Sequence, residues 1–123
     1  TEQFLVCRRD DDRIAGNINL NLVTRGALQS TAAGWSGFSP HLGRGHLTEG
    51  LEMVLSVAFT QLGLHRVEAN IQPTNERSRR LAIRVGMRLE GFSPRYLLVG
   101  DEWRDHERWA LVVDDWRLRP RPG

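Results

Sequence analysis

The sequence predicts an α/β domain built on one mixed β-sheet with helices on its faces. Three features point to this class: two strands around an acidic turn at the start, a long segment with helical periodicity, and a β-α-β unit behind that segment. The predicted elements follow the order β-β-β-α-β-α-β-β. A strand hairpin followed by a β-α-β unit favours a single sheet with both parallel and antiparallel pairs.

The first two strands form a predicted hairpin. The first strand spans residues 3–8, and three consecutive aspartates at 10–12 form the turn. In the second strand apolar and polar side chains alternate, which is typical of a half-buried strand. Its apolar face holds Ile14, Gly16, Ile18, Leu20 and Leu22. Its polar face holds Ala15, Asn17, Asn19 and Asn21.

A third strand and a long helix come next. The strand covers residues 30–38, where small residues surround Trp35, and it breaks at Ser39-Pro40. Behind it, apolar residues recur at steps of three and four, which predicts an amphipathic helix. The apolar face of this helix holds Leu47, Leu51, Val54, Leu55, Ala58, Phe59 and Leu62. Gly63 ends the helix, because glycine readily adopts the left-handed conformation of a C-terminal cap.

The second half of the chain returns to a strand and a helix. Residues 67–72 alternate as a strand, and Asn75 caps a short helix that ends at Gly86. Two further strands are predicted at residues 87–92 and 107–113, with a turn at Gly100-Asp101 between them. The domain is expected to span residues 1–116, and the arginine- and proline-rich residues 117–123 are expected to form a frayed tail.

Length and composition restrict the class of protein. The chain has 123 residues, 40% of them hydrophobic and 26% charged, which suits one globular domain. Its single cysteine, Cys7, rules out an internal disulfide and favours a reducing compartment, so we expect a cytoplasmic protein. No apolar run reaches the roughly 20 residues of a membrane span. The four histidines lack metal-ligand spacing, so we expect no metal site.

The basic residues are all arginine. The chain has 17 of them and no lysine, and its formal net charge is +2. A nucleic-acid surface needs clustered basic side chains, whereas these arginines are spread along the chain with acids between them. The pattern favours a solvated surface of mixed charge over a nucleic-acid-binding module.

A glycine loop between the third strand and the long helix is the strongest chemical signal. Gly43 and Gly45 stand directly before the helix, with Arg44 between them. The free N–H groups at a helix N-terminus bind anions, and glycines let the backbone close around a phosphate. A tight turn from strand to helix also needs glycine, so the motif alone fits a purely structural role as well.

The glycine loop and the helix behind it resemble the pyrophosphate-binding motif of the GNAT superfamily, the acetyl-CoA-dependent N-acyltransferases. Further motifs are similar to the RimJ/RimL branch of that superfamily. They are Asn75-x-x-Ser78, Gly86 followed by Glu90-Gly91, and the run Trp103-Arg104-Asp105-His106. The resemblance covers residues 14–116. Family members normally open with a strand and two helices, and this chain begins at what resembles the second strand, so we expect that front end to be lacking.

The resemblance implies that acetyl-CoA binds in a V-shaped opening between the two central parallel strands, residues 30–38 and 66–72. The loop backbone would hold the pyrophosphate of CoA. The end of the third strand would pair with the pantetheine amides and polarise the thioester carbonyl. The implied cofactor-binding residues are Ser36, Gly37, Phe38, Leu42, Gly43, Arg44, Gly45, His46, Leu47 and Asn75.

The resemblance also implies that a primary amine attacks the thioester directly. Ser78 is the implied acid that protonates the departing thiolate, since Ala82 stands where many members carry a tyrosine. Asn75 and Ser78 also fit a simple helix cap, and the two roles are compatible. Glu68 is either the base that takes the amine proton through water or an ion-pair partner of an arginine.

The sequence therefore predicts an N-acetyltransferase that acts on a protein N-terminus, as the RimJ/RimL resemblance implies. The acceptor stays open between that α-amine and a small molecule such as a polyamine or an antibiotic amine, and the acyl group between acetyl and succinyl. Asp105 and His106 either shape the acceptor end or form a hydrogen-bonded pair under a loop. The lacking front end motivates an alternative, a non-catalytic CoA-binding domain, or a homodimer in which the partner completes the acceptor half.

Overall fold

The computed structural model of the chain describes residues 2–7, 14–37 and 46–118. The strands in these ranges are β1 (Glu2–Cys7), β2 (Ile14–Thr24), β3 (Ser30–Gly37), β4 (Arg66–Ile71), β5 (Arg88–Val99) and β6 (Glu102–Val112). The helices are α1 (His46–Ser56), which continues as a π-helical turn over Val57–Gln61, α2 (Glu76–Arg84) and α3 (Val113–Leu118). The predicted element order is confirmed, and α3 is added at its end.

All six strands join one sheet in the order β1-β2-β3-β4-β6-β5. β3 and β4 run parallel, and the other neighbouring strands are antiparallel. A parallel pair needs a long crossover connection, which α1 supplies between β3 and β4. The predicted α/β fold with a mixed sheet is therefore confirmed.

One face of the sheet carries the hydrophobic core. Val67, Ala69 and Ile71 alternate along β4 and are all buried, as expected for side chains that share one face of a strand. They form a single cluster with the apolar sides of α1 and α2. Because β3 and β4 are parallel and each is followed by one of these helices, the N-termini of α1 and α2 lie at the same end of the sheet.

The predicted alternation of β2 was wrong at Leu22. This side chain was expected on the apolar face, but it is 81% exposed. The pairing register between β2 and β3 shifts between Asn21 and Thr24, and Leu22 has a left-handed φ of 54°. The irregularity interrupts the period of two, so the last part of β2 no longer places its apolar side chains over the core.

The hairpin of β5 and β6 is longer than the sequence predicted. The two strands were expected to cover residues 87–92 and 107–113, but β5 runs on to Val99 and β6 already begins at Glu102. The turn between them falls at Gly100-Asp101, as predicted, and Gly100 has a positive φ of 67°. Most side chains of β5 are exposed on both faces, so no alternation in the sequence marks its second half.

The prediction of a frayed tail from residue 117 was wrong at its start. Arg117 and Leu118 belong to α3, the last helix that the structure describes. Trp116 is buried and its ring packs on that of Phe59, with centroids 5.1 Å apart. This aromatic contact holds α3 against the end of the α1 segment. The rest of the predicted tail, residues 119–123, and the aspartate turn at 10–12 lie outside the described residues.

The opposite face of the sheet carries a charged cluster of Arg66, Glu68 and Glu90. Arg66 Nε donates to Glu68 Oε1 at 2.8 Å, and both terminal nitrogens of Arg66 donate to the Glu90 carboxylate. The hydrogen bond to Glu90 is the main reason that the pKa of Arg66 is raised. The same bond lowers the pKa of Glu90 below its ordinary value. Because β6 lies between β4 and β5, the cluster ties these two strands together across it.

This cluster predicts a loss of stability in acid. The pKa of Glu90 is lower in the folded than in the unfolded chain, so its contribution is complete above the ordinary value of 4.5 and is lost as the pH falls through the lower folded value. Urea unfolding from neutral pH downwards measures this loss, and Glu90→Gln is expected to make the pH dependence shallower. Glu102→Gln, which removes a more exposed ion pair with Arg104, is the control. An equal pH dependence in wild type and Glu90→Gln would contradict the prediction.

Candidate active site

The two parallel strands diverge at the end from which α1 and α2 start. β3 and β4 are paired at Ser30 with Arg66, Thr31 with Val67 and Ala32 with Glu68. Within the ranges that the structure describes, no pairing links the two strands beyond this point, although β3 continues to Gly37 and β4 to Ile71. The result is a V-shaped opening in the middle of the sheet, between the two strands where the family resemblance implied one.

The wall of this opening on the β3 side is a free strand edge. β2 pairs with β3 as far as Gly37, so the far part of β3 is bonded on one side and open toward β4. An open edge offers backbone N–H and C=O groups to an extended ligand that carries amides, as in strand addition. Ser36 and Gly37, two of the predicted cofactor-binding residues, lie on this part of β3.

The predicted pyrophosphate loop falls mostly outside the described residues. Phe38, Leu42, Gly43, Arg44 and Gly45 belong to this undescribed segment, and their roles stay predictions. The first residues beyond it, His46 and Leu47, form the start of α1. Leu47 is partly buried and packs against the core, so the first turn of the helix is anchored with its N-terminus at the open end of the sheet.

Asn75 begins α2 on the other side of the opening. Its side-chain Oδ1 accepts a hydrogen bond from the backbone N–H of Ser78 at 3.2 Å. This contact satisfies one of the free N–H groups in the first helical turn, so the predicted cap is confirmed. The cap uses the backbone of Ser78 and leaves its hydroxyl for other partners.

We expect Asn75→Ala to lower the free energy of unfolding by about 1 kcal/mol, because it leaves the Ser78 N–H without its cap. Urea unfolding of the variant and the wild type measures the difference. Asn75→Asp is the control, since a carboxylate oxygen also caps a helix, and it should unfold close to the wild type. An Asn75→Ala protein as stable as the wild type would contradict the assignment of this bond as a cap.

The Ser78 side chain faces the diverging strand. Trp35, near the end of β3, donates its indole N–H to Ser78 Oγ at 3.1 Å, and both side chains are partly buried. The bond joins residues that are 43 positions apart and connects β3 with the first turn of α2. The sequence pointed to Ser78 but not to Trp35, because nothing local indicates which residue an indole at the end of a strand will reach.

Glu68 lies at the last parallel pair, opposite Ala32. Successive side chains of a strand point to opposite faces, so Glu68 lies on the face away from the buried Val67 and Ala69. The interpretation of Glu68 as an ion-pair partner of an arginine is confirmed by its contact with Arg66. Its role as a base stays a prediction.

A hydrogen-bonded pair was one of two interpretations of Asp105 and His106, but each has another partner, and their role at the acceptor end stays a prediction. Asp105 Oδ1 accepts from the backbone N–H of Arg95 at 2.9 Å, at the irregular part of β5. His106 is buried, with its Nδ1 3.0 Å from the carbonyl oxygen of Arg104 and its ring at the edge of Tyr96. As neighbours on one strand the two side chains face opposite ways, so each finds its own partner.

The described part of the chain shows neither a membrane-spanning helix nor a cluster of metal-binding side chains. No helix there is both long and apolar enough to cross a membrane. No three His, Cys, Asp or Glu side chains gather there into a cluster that could hold a metal ion.

Comparison with known proteins identifies the family of the chain. A family model described as an acetyltransferase (GNAT) domain matches residues 1–88. The [ribosomal protein uS5]-alanine N-acetyltransferase of Escherichia coli is 35% identical over 107 residues, which are 87% of this chain and 55% of that protein. A probable N-acetyltransferase of Bacillus subtilis, YjcK, is 34% identical over 112 residues, which are 91% of this chain and 62% of that protein.

A solved structure of a relative carries a ligand. RimJ of Mycobacterium smegmatis in complex with CoA-disulfide superposes with a TM-score of 0.82 at 38% identity, covering 89% of this chain and 52% of that one. The present chain thus spans between 52% and 62% of the length of these three relatives.

Proposed function

Because the chain belongs to the GNAT acetyltransferase family, we propose that it transfers an acetyl group from acetyl-CoA to the α-amine of a protein N-terminus. The relatives named for ribosomal-protein alanine acetylation support this acceptor, and the CoA-disulfide complex of RimJ supports the donor. One observation in this chain carries the proposal. The hydroxyl of Ser78 is held at the open end of the sheet, beside the free edge of β3.

The reaction is a direct acyl transfer. The amine nitrogen attacks the thioester carbonyl, a tetrahedral oxyanion forms, and the C–S bond then breaks to release the CoA thiolate. Backbone N–H groups on the free edge of β3, near Ser36 and Gly37, stabilise the oxyanion. The Ser78 hydroxyl donates its hydrogen to the thiolate, which leaves as the thiol, and Ser78 Oγ takes a hydrogen back from solvent water, while the proton lost by the amine returns to solvent.

In this proposal the loss of a proton by the amine and the gain of a proton by the thiolate take place on opposite faces of the sheet. Ser78 and Trp35 lie with the core-facing helix α2, whereas Glu68 projects from the opposite face of β4. An amine that enters from the Glu68 side loses its proton there through water, while the thiolate gains one from Ser78 on the other side. One carboxylate oxygen of Glu68 is bonded to Arg66, so the role of Glu68 as a base is less direct than the role of Ser78 as an acid.

The remaining parts of acetyl-CoA are assigned to the loop and the helix starts. Backbone N–H groups from Leu42 to Leu47 hold the pyrophosphate, and Arg44 adds a charge-assisted contact to it. Asn75 contacts the cofactor from the start of α2. We place the protein in the cytoplasm, where acetyl-CoA and new protein N-termini are both present, and expect a homodimer if the partner completes the acceptor half.

Two measurements test the proposal. Calorimetric titration with CoA should give saturable binding, and detection of released thiol should report transfer from acetyl-CoA to a peptide that begins with alanine. The same peptide with a blocked α-amine is the control and should release no thiol. Transfer to spermidine or an aminoglycoside in place of the peptide would point to a small-molecule acetyltransferase. Binding without transfer would point to a CoA-binding domain, and no binding at millimolar CoA would contradict the proposal.

A further inference from the structure

The contact between Trp35 and Ser78 fixes what the serine hydroxyl can do. An indole nitrogen is a donor only, so Ser78 Oγ must accept in the bond of 3.1 Å. A hydroxyl that accepts from an indole N–H still carries its own hydrogen. The backbone N–H of Ser78 is already bonded to Asn75, so the hydroxyl hydrogen is what Ser78 has left to offer a ligand.

The position of Trp35 makes this contact specific to the opening. Trp35 lies beyond Ala32, on the part of β3 that has left β4, and it is paired with Ile18 of β2 on its other side. The strand thus fixes the backbone of Trp35, while the cap at Asn75 fixes the backbone of Ser78. Because both backbones are fixed, the hydrogen bond between the two side chains sets the rotamer of Ser78. It also makes the hydroxyl oxygen the acceptor and leaves the hydroxyl hydrogen to be donated.

We propose that Trp35 is a positioning residue for acyl transfer, which holds Ser78 as a hydrogen-bond donor toward the sulfur of the leaving CoA. This inference rests on the proposed function of the site and adds a residue to it. As negative charge builds up on the sulfur, the Ser78 hydroxyl gives up part of its hydrogen and gains charge on Oγ. The indole N–H stabilises that charge, because bonds in a chain of hydrogen bonds strengthen one another.

Trp35→Phe is the direct test, since it keeps an aromatic ring and removes the N–H. We expect kcat to fall about tenfold, with little change in the KM for acetyl-CoA. In a protein that already carries Ser78→Ala, Trp35→Phe should have almost no further effect on kcat, because both substitutions break the same chain of hydrogen bonds. Trp109→Phe is the matched control: it also removes an indole hydrogen bond, to Glu107 Oε1 at 3.1 Å, and should keep the wild-type kcat.

A spectroscopic measurement keeps the test independent of turnover and of how well Trp35→Phe folds. The chain has four tryptophans, and the NMR signal of the Trp35 indole N–H is assigned in the wild-type protein through its connection to the backbone signals of that residue. Ser78→Ala should shift this signal, and Ser78→Thr, which restores an acceptor oxygen, should return it. Added CoA should move it in the wild type and not in Ser78→Ala.

The outcomes separate this inference from the proposed function. If the wild type transfers acetyl groups and Trp35→Phe is as fast, Trp35 is not a positioning residue and the function stands. If CoA moves the indole signal through Ser78 but no amine accepts the acetyl group, the contact stands and the proposed transfer fails. A Trp35 signal that does not shift in Ser78→Ala would overturn the inference. A Trp35→Phe protein with higher kcat and tighter CoA binding would also overturn it, because the bond between Trp35 and Ser78 would then be closing the opening to CoA.

Discussion

Ser78→Ala is expected to lower kcat for acetyl transfer by about a hundredfold, with a much smaller change in the KM for acetyl-CoA. In the proposed mechanism the Ser78 hydroxyl acts on the sulfur as the C–S bond breaks, so its loss should affect the transition state far more than the bound substrate. Steady-state release of thiol at saturating acetyl-CoA and peptide measures this effect.

The structure makes Ser78→Ala a cleaner change than the sequence alone indicated. The cap of α2 uses the backbone N–H of Ser78, which alanine retains, so the bond to Asn75 Oδ1 at 3.2 Å survives. Urea unfolding of Ser78→Ala should therefore show no loss of the cap, and only a cost of about 1 kcal/mol from the lost hydrogen bond between Trp35 and Ser78. Asn75→Ala should have the complementary effect, a loss of stability with the hydroxyl still present. The two roles that the Asn-x-x-Ser motif left open, helix cap and acid, therefore belong to different atoms: the cap uses the backbone N–H of Ser78, and the acid would be its hydroxyl.

Ser78→Thr is the control for this prediction, because it returns a hydroxyl to the same position. It should recover a large part of the lost kcat. A Ser78→Ala protein that is as active as the wild type would leave Ser78 with no catalytic role. Equal loss of kcat in the alanine and threonine variants, with both proteins folded, would mean that the size of the side chain at this position matters and not its hydroxyl.

The sequence predicted most securely what depends on neighbours in the chain. The cap at Asn75 and the ends of helices at Gly63 and Gly86 each follow from the conformation that one residue prefers, and both glycines have the positive φ expected there. β4 was also clear, since burial on one face alone imposes an alternating pattern. These features place both helix starts at the candidate site.

Contacts between distant elements were beyond the reach of pattern reasoning. Trp35 meets Ser78 across 43 positions, and Arg66 meets Glu90 across 24. Each contact depends on how strands register with one another and on the length of the connections, neither of which a local pattern contains. The second half of β5 was missed for a related reason: with both faces exposed, nothing selects an alternating sequence there.

Leu55→Ala is expected to lower the free energy of unfolding by about 3 kcal/mol. Leu55 lies on α1, has 0% exposed surface and belongs to the cluster that packs this helix against the sheet. Alanine removes most of the buried side chain and leaves a cavity, and both effects destabilise the folded chain. Urea unfolding with a common slope for variant and wild type measures the change.

Met53→Ala is the matched control on the same helix. Met53 is 71% exposed, so its truncation should change stability by no more than about 0.5 kcal/mol. Equal effects of the two substitutions would mean that the apolar face of α1 does not bury against the sheet as described.

Leu55→Ala also tests how far the candidate site depends on the packing of α1. Leu55 is nine positions from His46 at the start of the helix, a distance of about 14 Å along its axis. At temperatures well below the midpoint of its thermal unfolding, the variant should therefore keep the wild-type kcat, since Leu47 still packs the first turn of the helix against the core. A lower kcat in the fully folded variant would instead mean that the packing of the whole helix affects the predicted pyrophosphate loop that precedes it in the chain.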